Sequence, residues 1–365
     1  MKQFHTLLIL AIIIFSGCNQ QSKKLPFDNS LNNGQTLIKG IVNKWHTDTV
    51  YMATLPFHSP FSTVEDYIIL NSDKTFEFNF NNIDKPFILC LTPEKKFLDH
   101  RSFLLFECFT DKYYQGYCKN FHTMPMTTYL IEPGSETIVE LTKTSRYGET
   151  KIKFLNDNAY NSKYYQTTFD LDQRFDEAVT LAKTTDEAIK NIKQKLTEKL
   201  TDLEKEKSFI SPFLYKYTNA EIKFGAKKEF LRYLMLDHKE ETEKLFKNEI
   251  PTQIKEVIAF DSKDIDYATL IGQEFNEFIE LYLNFRNSEL KNELTIFKTF
   301  DKEKFDFVLK ELPQPSKYYY LVNNLLYTDC NEETEELFTR LIKEYPDGEL
   351  NDKLTEKYKK TVANK

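Results

Sequence analysis

The chain has 365 residues, with 49 Lys and Arg against 56 Asp and Glu, a formal net charge of −7 at pH 7. An acidic chain whose lysines are scattered among glutamates offers no basic stripe to a phosphate backbone, which argues against nucleic acid as a partner. Its nine glycines are dispersed, so no glycine-rich phosphate loop can be assembled, while 31 Phe and 21 Tyr supply ample apolar volume for cores.

Residues 1–17 carry Lys2, then an apolar block from Leu7 to Phe15, then Ser16 and Gly17. That is the layout of a secretory signal. The block is shorter than the roughly 20 apolar residues that cross a hydrocarbon core. Small residues followed by Cys18 resemble the lipobox of bacterial lipoproteins, with Phe15 standing where leucine is commoner. The resemblance implies that the leader is cut off and that Cys18 is the lipidation site, a membrane anchor and not a fold element. Acyl chains contribute about 0.8 kcal/mol per buried methylene, so several together hold a domain on a bilayer. Asn19 stands where an aspartate would resemble an inner-membrane retention signal, and no acidic cluster follows the cysteine. The expected address is therefore the cell envelope, at the outer membrane facing the periplasm. Residues 18–34, rich in Asn, Gln, Ser and Lys, read as a flexible tether.

From residue 35 to 156 the apolar period is two. "TFEFNF" places Phe76, Phe78 and Phe80 on one face, and the preceding "NSDK" is a turn, which predicts a hairpin of 66–70 with 75–80. "YLIEPGSETIVEL" at 129–141 reads as two strands around Pro133-Gly134, a pair that suits a type II turn. With 36–45, 48–55 and 86–91 as further strands, the expectation is an antiparallel β-sandwich.

Across 157–365 the period becomes helical, predicting an all-α domain and an α+β chain overall. Thr184 and Glu187 form a capping-box pattern ahead of a stripe of Ile189, Ile192, Leu196, Leu200 and Leu203. Ser211-Pro212 opens another helix with proline at its first position. Ile271, Phe275, Phe278, Tyr282 and Phe285 make an aromatic stripe within 265–286. Leu337, Leu341 and Tyr345 precede "PDG", and Leu350, Leu354 and Tyr358 follow it as a last helix. These stripes read first as helix-on-helix core, and second as a ligand groove lined by aromatics.

"IKGIVNKWHTDTVYM", "TYLIEPGSETIVEL", "ATLIGQEFNEFIELYLNF" and "LFTRLIKEYPDGELNDKLTEKY" follow one another in an order that resembles a known family. These are the TlpA/ResA-like thioredoxin-family envelope lipoproteins of the Bacteroidetes type. They begin with a lipobox and a small β domain, continue through helices and end in a disulfide reductase. The reductase would bring a CxxC with one thiol at a helix N-terminus. No two cysteines here are that close in sequence. None of the family's reductase residues carries over, and the resemblance implies the non-catalytic front part, accessory to envelope thiol–disulfide or stress processes.

Apart from Cys18, the cysteines are Cys90, Cys108, Cys118 and Cys330. Cys108 and Cys118 flank "FTDKYYQGY" and are the candidate disulfide in an oxidising envelope. His100 and His122 lie beside them, but the spacing matches no usual zinc pattern and no metal or other cofactor is assigned. Asp170, Asp172, Asp176 and Glu177 read as acids at a helix start. No "GxSxG" or "HExxH" is present, so no catalytic residue is assigned. The insertion at 95–124 is too long for an ordinary hairpin and carries Tyr113, Tyr114 and Tyr117, the candidate contact surface for an envelope protein partner. "KYYY" at 317–320 is a second aromatic patch, read as half core and half surface. The leading expectation is a non-catalytic lipid-anchored protein acting through protein interactions. The alternative is a small-ligand or glycan-binding lipoprotein.

Overall fold

Thr36 opens a strand whose alternate residues Ile38 and Val42 are fully buried, and this alternation organises the first half of the molecule. The computed structural model describes residues 35–45, 47–55, 66–81, 83–92, 127–143, 150–156, 161 and 175–363. The strands among them are β1 (Thr36–Asn43), β2 (Thr49–Leu55), β3 (Asp66–Ile69), β4 (Thr75–Phe80), β5 (Phe87–Thr92), β6 (Thr127–Ile131), β7 (Glu136–Lys143) and β8 (Thr150–Phe154). They form two four-stranded sheets, ordered β4-β1-β7-β8 and β3-β2-β5-β6. Phe76, Phe78, Ile38 and Val139 of the first sheet share one apolar cluster with Val50, Leu89, Leu91 and Tyr129 of the second.

Three expectations about the strands need correction. β1 and β7 run parallel, with Leu37 beside Glu136 and Asn43 beside Thr142, so the first sheet is mixed and not antiparallel. The two strands are far apart in sequence, and local turn signals carry no information about the direction of such a pair. Second, the turn at 71–74 exists, with Asn71 N–H donating to Thr75 O at 2.9 Å, yet β3 and β4 lie in different sheets. The Pro133-Gly134 turn does the same between β6 and β7. Gly134 has φ +74°, Ser135 N–H donates to Glu132 O at 3.0 Å, and Gly134 N–H is held by Thr36 Oγ1 at 2.8 Å. Both turns are arches that carry the chain from one sheet to the other. Third, β8 went unread, although Ile152 and Phe154 alternate with Lys151 and Lys153.

Register in the first sheet depends on one small residue. Gly40 lies opposite Phe76, and a Cβ there would come within 2.3 Å of the Phe76 ring. The missing side chain lets that ring lie over the backbone and meet Phe78 edge-on at 5.9 Å.

The helical region contains α1 (Asp176–Thr180), α2 (Thr185–Glu206), α3 (Pro212–Arg232), α4 (Lys239–Phe246), α5 (Thr252–Ile258) and α6 (Tyr267–Leu270). It continues with α7 (Gln273–Lys291), α8 (Lys302–Glu311), α9 (Ser316–Tyr327), α10 (Glu332–Glu344) and α11 (Asn351–Ala363). A π-helical turn, Tyr233–Asp237, extends α3, and a 3₁₀ turn, Ser262–Asp264, precedes α6. Thr184 caps α2 by accepting Glu187 N–H at 3.2 Å, and the Glu187 carboxylate reaches back to Lys183 N–H at 2.8 Å. The aromatic stripe at 265–286 is divided between two helices. Ile271 ends α6, extended Gly272 interrupts the chain, and Phe275, Phe278 and Phe285 belong to α7.

Ile88 and Leu130 of the second sheet join the helical core cluster, so the helices cover that sheet's other face. Tyr267 Oη donates to Pro86 O at 3.0 Å, and Lys85 pairs with Glu349 at 3.7 Å. Ser211, the N-cap of α3, accepts Leu214 N–H at 3.0 Å and donates to Glu132 Oε1 at 2.6 Å. Asn161 accepts Ser211 N–H at 3.2 Å and donates to Glu132. The arch between β6 and β7 is thereby bound to the start of α3.

Candidate functional site

Two features of α3 concentrate polar chemistry, one on the face against α7 and one on the face towards α2, α5 and α6. The first begins with Glu221, only 3% exposed. Its Oε1 accepts Glu274 N–H at 3.2 Å, capping the first turn of α7 across the helix pair, and the Tyr217 hydroxyl lies beside the same carboxyl. Lys228, two turns along α3, lies 2.7 Å from Glu274, 3.0 Å from Glu277 and 3.4 Å from Glu229. Arg232 bonds Glu229 at 2.5 Å.

Four carboxyls at this interface, with Asp237 3.5 Å from Arg232 beyond them, thus share two cations, and the imbalance shifts their titration. Burial and the neighbouring Glu274 raise the Glu221 carboxyl well above its usual range. Burial likewise pushes Glu274 up to about 7, against the pull of Lys228. Burial opposes ionisation of Glu229 as well, but Lys228 and Arg232 together hold it below the ordinary carboxylate value. Lys228 is raised despite its burial, because Glu274, Glu277 and Glu229 surround it. The hold on a proton is thus tightest at Glu221 and Glu274 and weakest at Glu229.

The second feature is a cleft of 530 Å³ between α2, α3, α5 and α6. Ile192, Leu196, Phe224 and Val257 form its apolar part, and Lys193, Lys216, Lys223 and Lys263 stand around it. Lys227, also in the wall, donates to the carbonyls of Val257 and Ala259 at the C-terminal end of α5. Burial lowers its amine to about 8, with Asp264 opposing and Lys223 adding to the shift. Tyr215 is fixed by donating to Glu204 at 2.6 Å.

Cys18, Cys108, Cys118, Tyr113, Tyr114 and Tyr117 lie outside the described residues, as do His100, His122, Asp170 and Asp172. Asp176 and Glu177 occupy the first turn of α1, where Asp176 accepts Glu177 N–H at 2.9 Å. Cys90, buried in β5, and Cys330, between α9 and α10, are free thiols. Burial pushes the Cys90 thiol up to about 12, which makes it a poor nucleophile. The "KYYY" run is committed to packing. Tyr318 Oη accepts Leu350 N–H at 2.9 Å, Tyr319 Oη donates to Glu349 at 2.7 Å, and Tyr320 Oη donates to Glu280. Among the described residues no group of three or more His, Cys, Asp and Glu is arranged to hold a metal ion. None of their helices is long and apolar enough to cross a membrane.

Neither the buried cluster nor the cleft was read from the sequence. Glu221, Lys228, Glu274 and Glu277 belong to helices whose apolar stripes were legible, but the pairing of α3 with α7 is a tertiary fact. The one available signal was Lys216, Lys223 and Lys227 at spacings of seven and four on α3, which puts three cations on one helix face. No family model, no curated protein and no solved structure matches the chain.

Proposed function

We propose that this is a lipid-anchored cell-envelope protein that works by binding and without covalent chemistry, as an accessory to envelope thiol–disulfide or stress processes. The observation that carries the reading is the run from Lys2 through Leu7–Phe15 to Ser16-Gly17-Cys18. Acyl chains on Cys18 hold the folded regions at the outer membrane, facing the periplasm, where they meet a protein partner. The high pKa of Cys90 fits a protein that does not cycle thiols. We also infer that the two sheets form a sandwich, which the apolar cluster common to both supports. A second reading, that the helical region holds a small ligand, is favoured by the cleft beside α3.

Metabolic labelling with a fatty-acid analogue tests the anchor. Wild type is expected to take the label and sediment with membranes, whereas Cys18→Ala takes none and keeps its leader or becomes soluble. Label of equal intensity on Cys18→Ala would overturn the lipoprotein reading.

A further inference from the structure

The cleft beside α3 is charged against the rest of the chain. Five lysines line it against Glu256, Asp264 and Asp266, in a protein whose net charge is −7. The α3 wall carries Lys216, Lys223 and Lys227 on one face, and like charges four apart on a helix are destabilising. Nothing in the helix offsets this. The positions three and four away from Lys223 are Asn219, Ala220, Ala226 and Lys227. Lys223 is exposed, and no hydrogen bond or ion pair joins it to a described residue. Asn219, half-buried in the same wall, makes no hydrogen bond with any described residue either.

The other cations at the rim are loosely engaged. Lys193 and Glu256 are 3.9 Å apart, and so are Lys216 and Asp266, separations that leave ammonium protons free for another acceptor. Lys227 and Lys263 are the exceptions, since two carbonyls hold the first and Asp261 lies 2.9 Å from the second. A local rule is thus broken, three cations on one helix face, and among the described residues only Lys227 is firmly compensated, Lys216 loosely and Lys223 not at all. Such violations belong to functional sites. The deeper part is apolar, with Phe224, Ile192 and Ala226 among its buried residues. A volume of 530 Å³ falls within the roughly 300–1,000 Å³ of small-molecule sites.

We propose that this cleft binds a small organic anion, its carboxylate or phosphate group set among Lys193, Lys216 and Lys223 and its apolar body against Leu196, Phe224 and Val257. The anion relieves the repulsion along α3 and replaces water as the acceptor for the exposed Lys223 ammonium. The proposal rests on the reading that the helical region holds a small ligand, and it does not depend on the anchor at Cys18.

Isothermal titration of the full chain with four probes tests it: benzoate, phenyl phosphate, benzyl alcohol and inorganic phosphate. Benzoate or phenyl phosphate is expected to bind saturably, and the tighter of the two identifies the preferred head group. Benzyl alcohol should bind at least about ten-fold more weakly, and binding of the anion should weaken as salt rises. Lys223→Glu should lose about ten-fold or more in affinity while Lys223→Arg stays within about three-fold, since the position is exposed and either variant folds. Benzyl alcohol binding as tightly as the anions would overturn the charge assignment and leave the ligand-holding reading standing. Inorganic phosphate binding as tightly as phenyl phosphate would mark an adventitious ion only and overturn the proposal. Unchanged affinity in Lys223→Glu overturns it as well. Failure of all four probes to bind overturns both the proposal and the ligand-holding reading.

Discussion

The β region and the helical region bury charge in different ways. In the first sheet Lys39 meets Glu136 at 2.9 Å on the neighbouring strand, with Glu77 on the other side at 3.9 Å and half exposed. Side chains stand perpendicular to a sheet, so a cation there meets only its cross-strand neighbours. Between helices, long side chains converge from several elements. Lys228 meets three carboxylates, and Lys304 of α8, 1% exposed, bonds Glu280 of α7 at 2.7 Å while Tyr320 of α9 donates to the same carboxylate. Helix interfaces in this molecule gather ionisable groups into networks. In the first sheet Lys39 meets one buried and one half-exposed carboxylate, both on flanking strands.

If that contrast is right, cutting a network costs far more than cutting an exposed pair. Glu280→Ala leaves Lys304 buried without its anion and Tyr320 without its acceptor, and should lower unfolding free energy by about 3–5 kcal/mol. Lys205→Ala, which breaks an exposed pair with Asp202, should cost about 0–1 kcal/mol. Replacing Glu280 by Leu together with Lys304→Met should recover most of the loss, because no uncompensated charge then remains. Urea melts of the four proteins check this. A Glu280→Ala loss no larger than that of Lys205→Ala would mean that the network contributes nothing.

The α3–α7 cluster sharpens the same contrast through pH. Glu221 and Glu274 have folded-state pKa values above their ordinary 4.5, so folding takes up protons in the range between. Their contribution is complete below about 4.5 and is lost as pH rises through the folded value, about 7 for Glu274. Glu229 has the opposite sign, with its depressed value acting only below 4.5, and raised Lys228 acts only above 10.5. Stability should therefore fall between pH 5 and pH 8, by about 2–3 kcal/mol from Glu274 alone, with Glu221 adding a loss of the same sign. Glu221→Gln, which removes one carboxyl and keeps an acceptor for Glu274 N–H, should flatten the profile and be the more stable protein at pH 8. Parallel profiles for the two proteins would remove Glu221 as the proton holder.

The same contrast explains what could be read from the sequence. Thr184, Ser211 and the stripe from Ile189 to Leu203 announced their helices, because capping and the 3.6 period act within a few residues. Phe76 and Phe78 announced a strand for the equivalent reason. The Pro133-Gly134 turn was legible as a turn, but its chemistry does not say whether the chain returns beside its own strand or crosses to another sheet. That choice depends on β1 lying between β4 and β7, a non-local arrangement that Gly40 permits by leaving room for Phe76. The cleft and the buried cluster were illegible for the same reason. Each needs α3 to be placed against helices that no local signal connects to it.

The smallest expected effect tests how firmly the two regions are joined. Ser211 and Thr184 both cap helices, and losing either hydroxyl costs about 1 kcal/mol. Ser211 also donates to Glu132 in the β6–β7 arch, a bond to a carboxylate that Thr184 does not make. Ser211→Ala should therefore cost more than Thr184→Ala, by about 0.5–1 kcal/mol for the added charge-assisted bond. Glu132→Ala removes the acceptor of both Ser211 and Asn161 and leaves the Ser211 cap on Leu214 intact, so the excess is read from the cycle and not from the single loss. In a double-mutant cycle Ser211→Ala with Glu132→Ala should cost less than the two single losses together, with the difference matching the excess over Thr184→Ala. Strict additivity would mean that the arch and α3 lie side by side without energetic coupling. The junction would then rest on the Ile88 and Leu130 contacts and the Tyr267–Pro86 bond.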